Sequence, residues 1–231
     1  MNLLNQGKTA KYFKYAIGEI LLVVIGILIA LQINTWNEER KNHKREIKLL
    51  SELRTNLLIN IENLESDIES QIKSAAIIDQ LLEHLEKKRP YYDSLPGYFA
   101  KANYAPDVVL SASAFETLKS TGLELIQTDS LRSQIINLFE VDYPTLMQET
   151  RRLEDQLWPA VVVPMYQKHF RRSDQEHAYI NDYNALLEDN EFKNMLSFRG
   201  SLRKSSTFHK RKAIDRTKNV LDLIDKELAQ H

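Results

Sequence analysis

One stretch near the start of the chain limits what the whole molecule can be. Residues Tyr15–Trp36 read YAIGEILLVVIGILIALQINTW, and no charged residue occurs from Ile20 to Asn37. As a helix this stretch is about 33 Å long, which matches the roughly 30 Å hydrocarbon core of a bilayer. A helix also satisfies its own backbone hydrogen bonds in lipid. We therefore predict a transmembrane helix over residues 15–36, preceded by a short basic tail over residues 1–14.

Two other interpretations of this stretch fit less well. A buried helix of a soluble protein does not require the flanking aromatic residues Tyr12, Phe13 and Trp36, which are typical of membrane interfaces. A cleaved signal peptide requires a small-x-small cleavage site, and no Ala-x-Ala pattern follows the apolar run at Ala30. The stretch is therefore predicted to be an uncleaved signal anchor.

Two features inside the span point beyond simple anchorage. Gly18, Gly26 and Ala30 lie on one helical stripe, and such small residues let a second helix approach closely, although Gly and Ala are common in membrane helices anyway. Glu19 is the one ionisable residue in the span. It is interpreted as an acid at the headgroup boundary, as a contact to a partner subunit, or as a group that handles ions or protons.

Composition limits the chemistry of the remaining chain. The protein has 231 residues, so residues 37–231 are enough for one domain with a real core. The absence of Cys excludes disulfides, thiolate catalysis and Cys-based metal sites. A net charge of −1 gives no general attraction to nucleic acid, and only six Gly and six Pro favour helices over sheets.

The orientation in the membrane is ambiguous from charge alone. The positive-inside rule counts the basic residues near each end of the span. The N-terminal side offers Lys8, Lys11 and Lys14. The C-terminal side offers more bases, but they follow two glutamates and lie farther from the lipid: Arg40, Lys41, Lys44, Arg45 and Lys48.

The anchor region resembles a bacterial family of single-pass membrane proteins of unknown function. The similarity lies in the Gly-Glu-Ile start of the helix, its Ile-Leu-Ile-Ala-Leu-Gln-Ile end and the Asn-x-Trp-Asn-Glu that follows, all within Gly7–Lys41. The stretch Ser113–Gly122 and the helix over 131–140 are similar too. The resemblance implies a single anchor in a bacterial inner membrane and a helical domain that faces the periplasm. It implies no activity, ligand or catalytic residue.

The pattern after the anchor predicts an all-α fold, with one N-terminal transmembrane helix followed by an elongated helical bundle. We predict a long helix over 37–88, short helices within 98–140, a long helix over 142–171 and a C-terminal long helix over 191–228. The first of these carries nearly four heptads and could form a coiled coil, although its wide apolar stripe suits a bundle better. Its core positions are Leu57, Ile61, Leu64, Ile68, Ala75, Ile78, Leu82 and Leu85.

Local signals predict how these elements begin and end. Ser113 and Glu116 form a capping-box pattern, and Gly122 is typical of the C-cap that would close the same short helix. Pro159 and Pro164 should kink the helix over 142–171 or split it in two. Residues 174–181 are predicted to be a polar link.

A basic stretch near the C-terminus is almost unopposed by acids in its own range. Three explanations are open: pairing with acids of the same domain, contact with anionic lipid, or contact with nucleic acid. Glu62, Glu65, Asp67 and Glu69 on the first long helix could supply the pairing. We predict a basic surface formed by Arg199, Arg203, Lys204, Lys210, Arg211, Lys212, Arg216 and Lys218.

The sequence predicts no catalytic centre. The six histidines are scattered without the spacing of a metal site, and no phosphate-cradling Gly loop or nucleophile motif is present. We therefore expect no enzyme activity, no metal and no cofactor.

Two hypotheses of function follow. The first is a membrane-anchored, non-enzymatic interaction or scaffold protein that assembles with itself or a partner membrane protein through its membrane helix and juxtamembrane helix. The alternative is a sensory domain that binds a small ligand among the central short helices and signals through a partner membrane protein. Membrane lipid is an expected partner in both cases, and nucleic acid is not.

Overall fold

A computed structural model of the chain describes residues 6–104, 107–172 and 176–230, without the side chains of residues 6–15 and 172. The whole of the predicted tail over 1–14 therefore lies outside the described side chains. The chain divides into two compact units, residues 1–49 and residues 50–231.

Helices make up nearly all of the described chain, which confirms the predicted all-α class. Their bounds are α1 (Gln6–Glu86), α2 (Leu95–Asn103), α3 (Ser113–Thr121), α4 (Asp129–Asn137), α5 (Tyr143–Leu157), α6 (Val163–His169), α7 (Tyr183–Glu188) and α8 (Asn190–Leu228). A 3-10 turn covers Leu123–Leu125, and π-helical turns cover Leu138–Asp142 and Trp158–Val162. A small antiparallel hairpin joins β1 (Phe170–Arg172) to β2 (Ala178–Ile180).

The first unit contains the apolar part of α1. Among the described residues, α1 is the one helix long and apolar enough to cross a membrane, and its most apolar window is not buried in the protein. Side chains such as Leu22, Ile27 and Trp36 are exposed. This unit is therefore compatible with a single-pass membrane protein.

The second unit uses the rest of α1 as the central helix of its core. Leu57, Leu64, Ile78 and Leu85 are fully buried, because the heptad stripe faces the other helices of the domain. The stripe thus contributes to the core of its own domain, as its width indicated. A coiled coil with another chain stays a prediction.

An aromatic core holds α2, the hairpin and α8 together. The ring of Phe99 lies 4.9 Å from that of Phe170 and 6.0 Å from that of Phe192, in tilted arrangements. Tyr166 stacks on Phe170 and donates its hydroxyl hydrogen to the Phe99 carbonyl at 2.8 Å. The helix ends and the hairpin are therefore fixed by one contiguous apolar cluster.

Three asparagines on one face of α1 bind the segment that leads into α3. Asn60 is fully buried; its amide donates to the Ser111 carbonyl at 2.9 Å and its Oδ1 accepts from the Ser111 N–H at 2.6 Å. Asn63 donates to the Val109 carbonyl at 2.9 Å. These side chains replace the hydrogen bonds that an irregular segment cannot make to itself.

Asn56 corrects the predicted capping box. The structure begins α3 at Ser113 with Ala112 in the N-cap position, and the Ser113 hydroxyl donates to Asn56 Oδ1 at 3.1 Å. The same oxygen accepts from the Ala114 N–H at 2.9 Å. The prediction of Ser113 as N-cap was wrong, because an asparagine from α1 takes the role. The Gly122 C-cap is confirmed, with a positive φ of 120°.

The long helix expected over 142–171 is interrupted. The α-helical pattern stops after Leu157 and resumes at Val163, since Pro159 has no N–H to donate. Beyond His169 the chain is extended, and Phe170 pairs with Ile180. The helix predicted to residue 171 therefore ends at His169, and the polar link predicted over 174–181 contains strand β2, although residues 173–175 lie outside the described residues.

Candidate ligand-binding cavity

The second unit contains an open cavity of about 1180 Å³. Its walls come from residues 70–77 of α1, residues 97–104 in and after α2, residues 154–158 at the end of α5, and residues 176–177. A second cavity of about 330 Å³ shares Ala100, Asn103 and Trp158 with it, and is otherwise lined by residues such as Val162 and Phe170. The two spaces therefore meet at one apolar wall.

The π-helical turn places Trp158 on this wall. In a regular α-helix, residue 159 would donate to the Asp155 carbonyl, but Pro159 cannot. The helix widens instead, and the Val163 N–H donates to the Trp158 carbonyl five residues back. Such turns recur at functional sites. Trp158 is 36 % exposed and lines both cavities.

A buried arginine lies behind the cavity wall and binds residues that line it. Arg199 on α8 is 0 % exposed and donates to Glu154 Oε1 through Nη2 at 2.9 Å. It also donates to the backbone carbonyls of Ala102 at 3.1 Å and Asn103 at 3.2 Å. These carbonyls end α2, where the helix dipole favours a cation. Arg199 thereby joins α8, α5 and the end of α2.

A second arginine uses the same carboxylate oxygen. Arg203 Nη2 lies 3.1 Å from Glu154 Oε1. Burial lowers the pKa of the Arg203 guanidinium; the Glu154 charge opposes this shift and the Arg199 charge adds to it. Two guanidinium groups therefore converge on one carboxylate oxygen.

Three polar atoms at the cavity have no hydrogen-bond partner in the protein. They are Ser74 Oγ, Asn103 Oδ1 and Glu154 Oε2, and each is itself buried. Ser74 is 5 % exposed and Asn103 is 8 % exposed. Since an unsatisfied buried polar atom costs about 1–3 kcal/mol, this set needs an explanation.

The rim of the cavity carries charges of both signs. Lys73 and Lys101 are exposed cations on α1 and α2, and Lys73 pairs with Glu69 at 2.5 Å. Asp155 is an exposed acid 4.0 Å from Arg151. The rim therefore selects neither anions nor cations strongly.

The structure corrects the predicted basic surface. Arg199, Arg203 and Lys210 are buried, because each pairs with an acid inside the domain: Glu154 for both arginines and Asp67 for Lys210. These three residues do not belong to a surface. Arg199 and Arg203 instead belong to the cavity region, a role that their four-residue spacing on one helix face allows.

The other members of the basic stretch are exposed. Lys204 pairs with Asp79 at 3.0 Å, Lys218 with Glu65 at 3.5 Å, and Arg216 with Asp142. Arg211 and Lys212 are exposed side chains on α8. Much of the stretch is thus neutralised by acids of its own domain, including Glu65 and Asp67 of the predicted α1 set.

The predicted membrane-helix residues belong to the first unit and are not among the residues that line the cavity. Gly18, Glu19, Gly26 and Ala30 are all exposed. A side chain added at Gly18 or Gly26 would meet no atom within 4 Å. The roles of the small-residue face and of Glu19 as an intramembrane acid stay predictions.

Sequence reasoning missed most of the cavity. Of the central short helices, only α2 lines it; the other walls come from α1, from the end of α5 with the π-helical turn after it, and from residues 176–177. Glu154, Asn103 and Ser74 carried no signal, since each is an ordinary helical polar residue. The Trp158-Pro159 pair inside a long helix was the one available hint. Among the described residues, no three His, Asp or Glu side chains are placed to hold a metal ion.

Comparisons with known proteins place the chain in a family. No curated protein and no solved structure matches it. A protein-family profile described as "Family of unknown function (DUF6090)" matches residues 19–200. This range begins in the apolar part of α1 and ends in α8, so it includes every wall of the cavity. The chain therefore belongs to this family of unknown function, DUF6090.

Proposed function

We propose that the chain is a membrane-anchored, non-enzymatic protein whose helical domain binds a small molecule in the cavity between α1, α2 and α5. The observation that carries this proposal is the cavity itself: about 1180 Å³ of space with buried, unpartnered polar atoms on its wall. Ligand sites are typically large, mostly apolar clefts with a few convergent polar groups. Signalling would then pass through a partner membrane protein.

The experiment is a thermal-shift screen of a small-molecule library against the full chain in detergent. A ligand that binds only the folded domain raises its melting temperature. Any stabilising compound is then tested on Ala76→Phe, which fills the cavity from an exposed position on its wall. Gln80→Phe is the matched control, because Gln80 is exposed on the same helix and lines no cavity described above.

The expected result is stabilisation that is lost in Ala76→Phe and kept in Gln80→Phe. A library that stabilises neither the native chain nor the control would contradict the proposal. So would a compound whose effect is equal in all three proteins, since it would bind elsewhere.

We further propose that the anchor lies in a bacterial inner membrane with the helical domain in the periplasm. The apolar helix supports the membrane anchor, and the resemblance of the anchor region supports this orientation, while the count of Lys and Arg on the two sides of the span opposes it. The chain has no Cys, so Asn5→Cys and Ser94→Cys allow labelling with a membrane-impermeant maleimide on spheroplasts. Labelling at position 94 alone is expected; labelling at position 5 alone would reverse the orientation.

A second candidate function is assembly with itself or with a partner membrane protein through the membrane helix. The observation that favours it is the open face at Gly18 and Gly26, where a neighbouring helix could approach closely. Gly26→Leu should lower the crosslinked fraction in membranes. Val24→Ile is the matched control. A strictly monomeric native chain, with no partner crosslinked, would reject this candidate.

A further inference from the structure

We infer that the cavity takes an uncharged ligand with an apolar body and a hydrogen-bond donor, either an amide N–H or a hydroxyl. This inference rests on the proposed function and adds the chemical class of the ligand. Three features carry it: which polar atoms at the cavity lack partners, how charge is distributed behind them, and what lines the rest of the space.

The unpartnered atoms are mainly acceptors. Asn103 Oδ1 and Glu154 Oε2 accept hydrogen bonds, and both are buried without a partner in the protein. The Ser74 hydroxyl can accept as well. A ligand that brings N–H or O–H groups satisfies these atoms, whereas a carboxylate or phosphate brings further acceptors and leaves them unpaired.

The charge behind the acceptors disfavours a cation. Glu154 Oε1 already accepts from Arg199 at 2.9 Å and from Arg203 at 3.1 Å, so two positive charges lie beside one negative charge. The Arg199 guanidinium also lies 5.5 Å from the ring centre of Trp158, in a cation–π arrangement. A cationic ligand would therefore be repelled at the carboxylate and would find this aromatic face in use.

One part of the remaining lining is apolar. Ala76, Ile77, Ala100 and Trp158 line the large cavity, and Trp158 also lines the smaller one together with Val162 and Phe170. A ligand whose donor meets Asn103 can place an apolar body along this wall. Such a body gains roughly 25 cal/mol for each Å² of apolar surface removed from water.

Four probes with one benzene ring separate these classes: benzamide, N,N-dimethylbenzamide, benzoate and benzamidinium. The first is neutral with an N–H donor, the second is neutral without one, and the others are an anion and a cation. Trp36→Phe in the full chain leaves Trp158 as the only tryptophan. Its fluorescence in detergent, at increasing probe concentration, then reports binding at the cavity.

We expect benzamide to bind with a Kd about tenfold lower than the other three probes, the ratio that one satisfied buried hydrogen bond gives. Asn103→Leu should abolish this preference by raising the benzamide Kd to that of N,N-dimethylbenzamide. Ser201→Ala is the control, because Ser201 is exposed on α8 and does not line the cavity. The control should keep the native ratio.

Equal or tighter binding of N,N-dimethylbenzamide, benzoate or benzamidinium would overturn the inference while leaving small-molecule binding intact. Binding of none of the four would overturn it too. A thermal-shift screen without any stabilising compound would instead reject the proposed function, so the two failures are distinguishable. An unchanged benzamide preference in Asn103→Leu would show that Asn103 is not the acceptor and would also overturn the assignment.

Discussion

Two polar groups of residues are buried in the same domain, and they differ in how completely they are paired. At the start of α3, Asn60 both donates to and accepts from the Ser111 backbone, and Asn56 Oδ1 accepts two hydrogen bonds. At the cavity, Asn103 Oδ1 and Glu154 Oε2 accept none from the protein. The side-chain oxygens of Asn56 and Asn60 thus accept hydrogen bonds from the protein, whereas that of Asn103 accepts none.

This difference separates a structural role from a binding role. A buried polar network in which every atom is paired stabilises one conformation, whereas an open atom is a cost that folding alone does not explain. Binding sites accept such costs because they are built for a partner rather than for stability. Substitutions in the paired and in the open group test this division.

The largest effect is expected for Glu154→Leu. This change removes the carboxylate from between Arg199 and Arg203, and both guanidinium groups are buried. Breaking a buried ion pair by removing one partner costs about 3–5 kcal/mol. Urea unfolding of the full chain in detergent, followed by Trp158 fluorescence in a Trp36→Phe background, measures the loss in the free energy of unfolding. The neighbouring exposed acid gives the control, Asp155→Leu, which should change stability by less than about 1 kcal/mol.

Asn60→Leu should have the second largest effect. It should lower the free energy of unfolding by about 2–3 kcal/mol, because it leaves the N–H and the carbonyl of Ser111 without their partner. Asn63→Leu gives a graded comparison. Asn63 is half-buried and makes one hydrogen bond, so its loss should be about 1 kcal/mol. Equal losses at the two positions, in the same unfolding assay, would show that pairing is not what stabilises this region.

A further group of paired polar residues lies at the start of α8, and it makes the stability of the protein depend on pH in the acid range. Burial alone would raise the pKa of the Asp189 carboxyl, but hydrogen bonds from Lys168, the Phe192 N–H and His169 hold it well below its usual range. Because the folded pKa is depressed, the stabilisation is complete above the unfolded value of about 3.9 and is lost as the pH falls below it.

The melting temperature should therefore fall below about pH 4, where unfolded aspartate binds its proton, and this fall should be smaller in Asp189→Asn. The effect is expected to be smaller than that of either core substitution. A melting temperature that falls equally in both proteins would assign the acid sensitivity to other carboxylates.

The smallest effect is expected for Ser74→Ala. The Ser74 hydroxyl is buried and makes no hydrogen bond within the protein, so Ser74→Ala loses none. The gain from removing an unpaired polar atom and the loss of the packing of that atom oppose each other, and the net change in the free energy of unfolding should be less than about 0.5 kcal/mol. Ser206→Ala is a control on α8 at a similarly buried serine. A loss above 1 kcal/mol for Ser74→Ala, which is about the value of one good hydrogen bond, would mean that its hydroxyl is paired in the folded protein.

The fold was more predictable than the site, for a physical reason. The apolar span of α1 is one long continuous run, and its heptad stripe is periodic. Both patterns can be seen in the sequence, and the period of the stripe predicts the helix and the face that it buries. The Ser113 cap failed because Asn56, distant in sequence, took over the role. Tertiary contacts of this kind have no local signature.

The site residues show the same limit. Arg199 and Arg203 looked like members of a solvated basic face, because nothing near them in sequence indicates Glu154 on another helix. The Trp158-Pro159 pair predicted an interruption but not the wall of a cavity. The burial and pairing of these side chains depend on which helices pack together, and no local pattern in the sequence indicates that packing.

One measurement tests the division between paired and open asparagines most directly: the free energies of unfolding of Asn60→Leu and Asn103→Leu, compared in the same detergent. Asn103→Leu should leave the free energy of unfolding unchanged or raise it, because Asn103 Oδ1 accepts no hydrogen bond from the protein. The same substitution should abolish the preference for benzamide. Asn60→Leu should lose about 2–3 kcal/mol. Equal destabilisation by both substitutions would contradict the assignment of the Asn103 side chain to ligand binding.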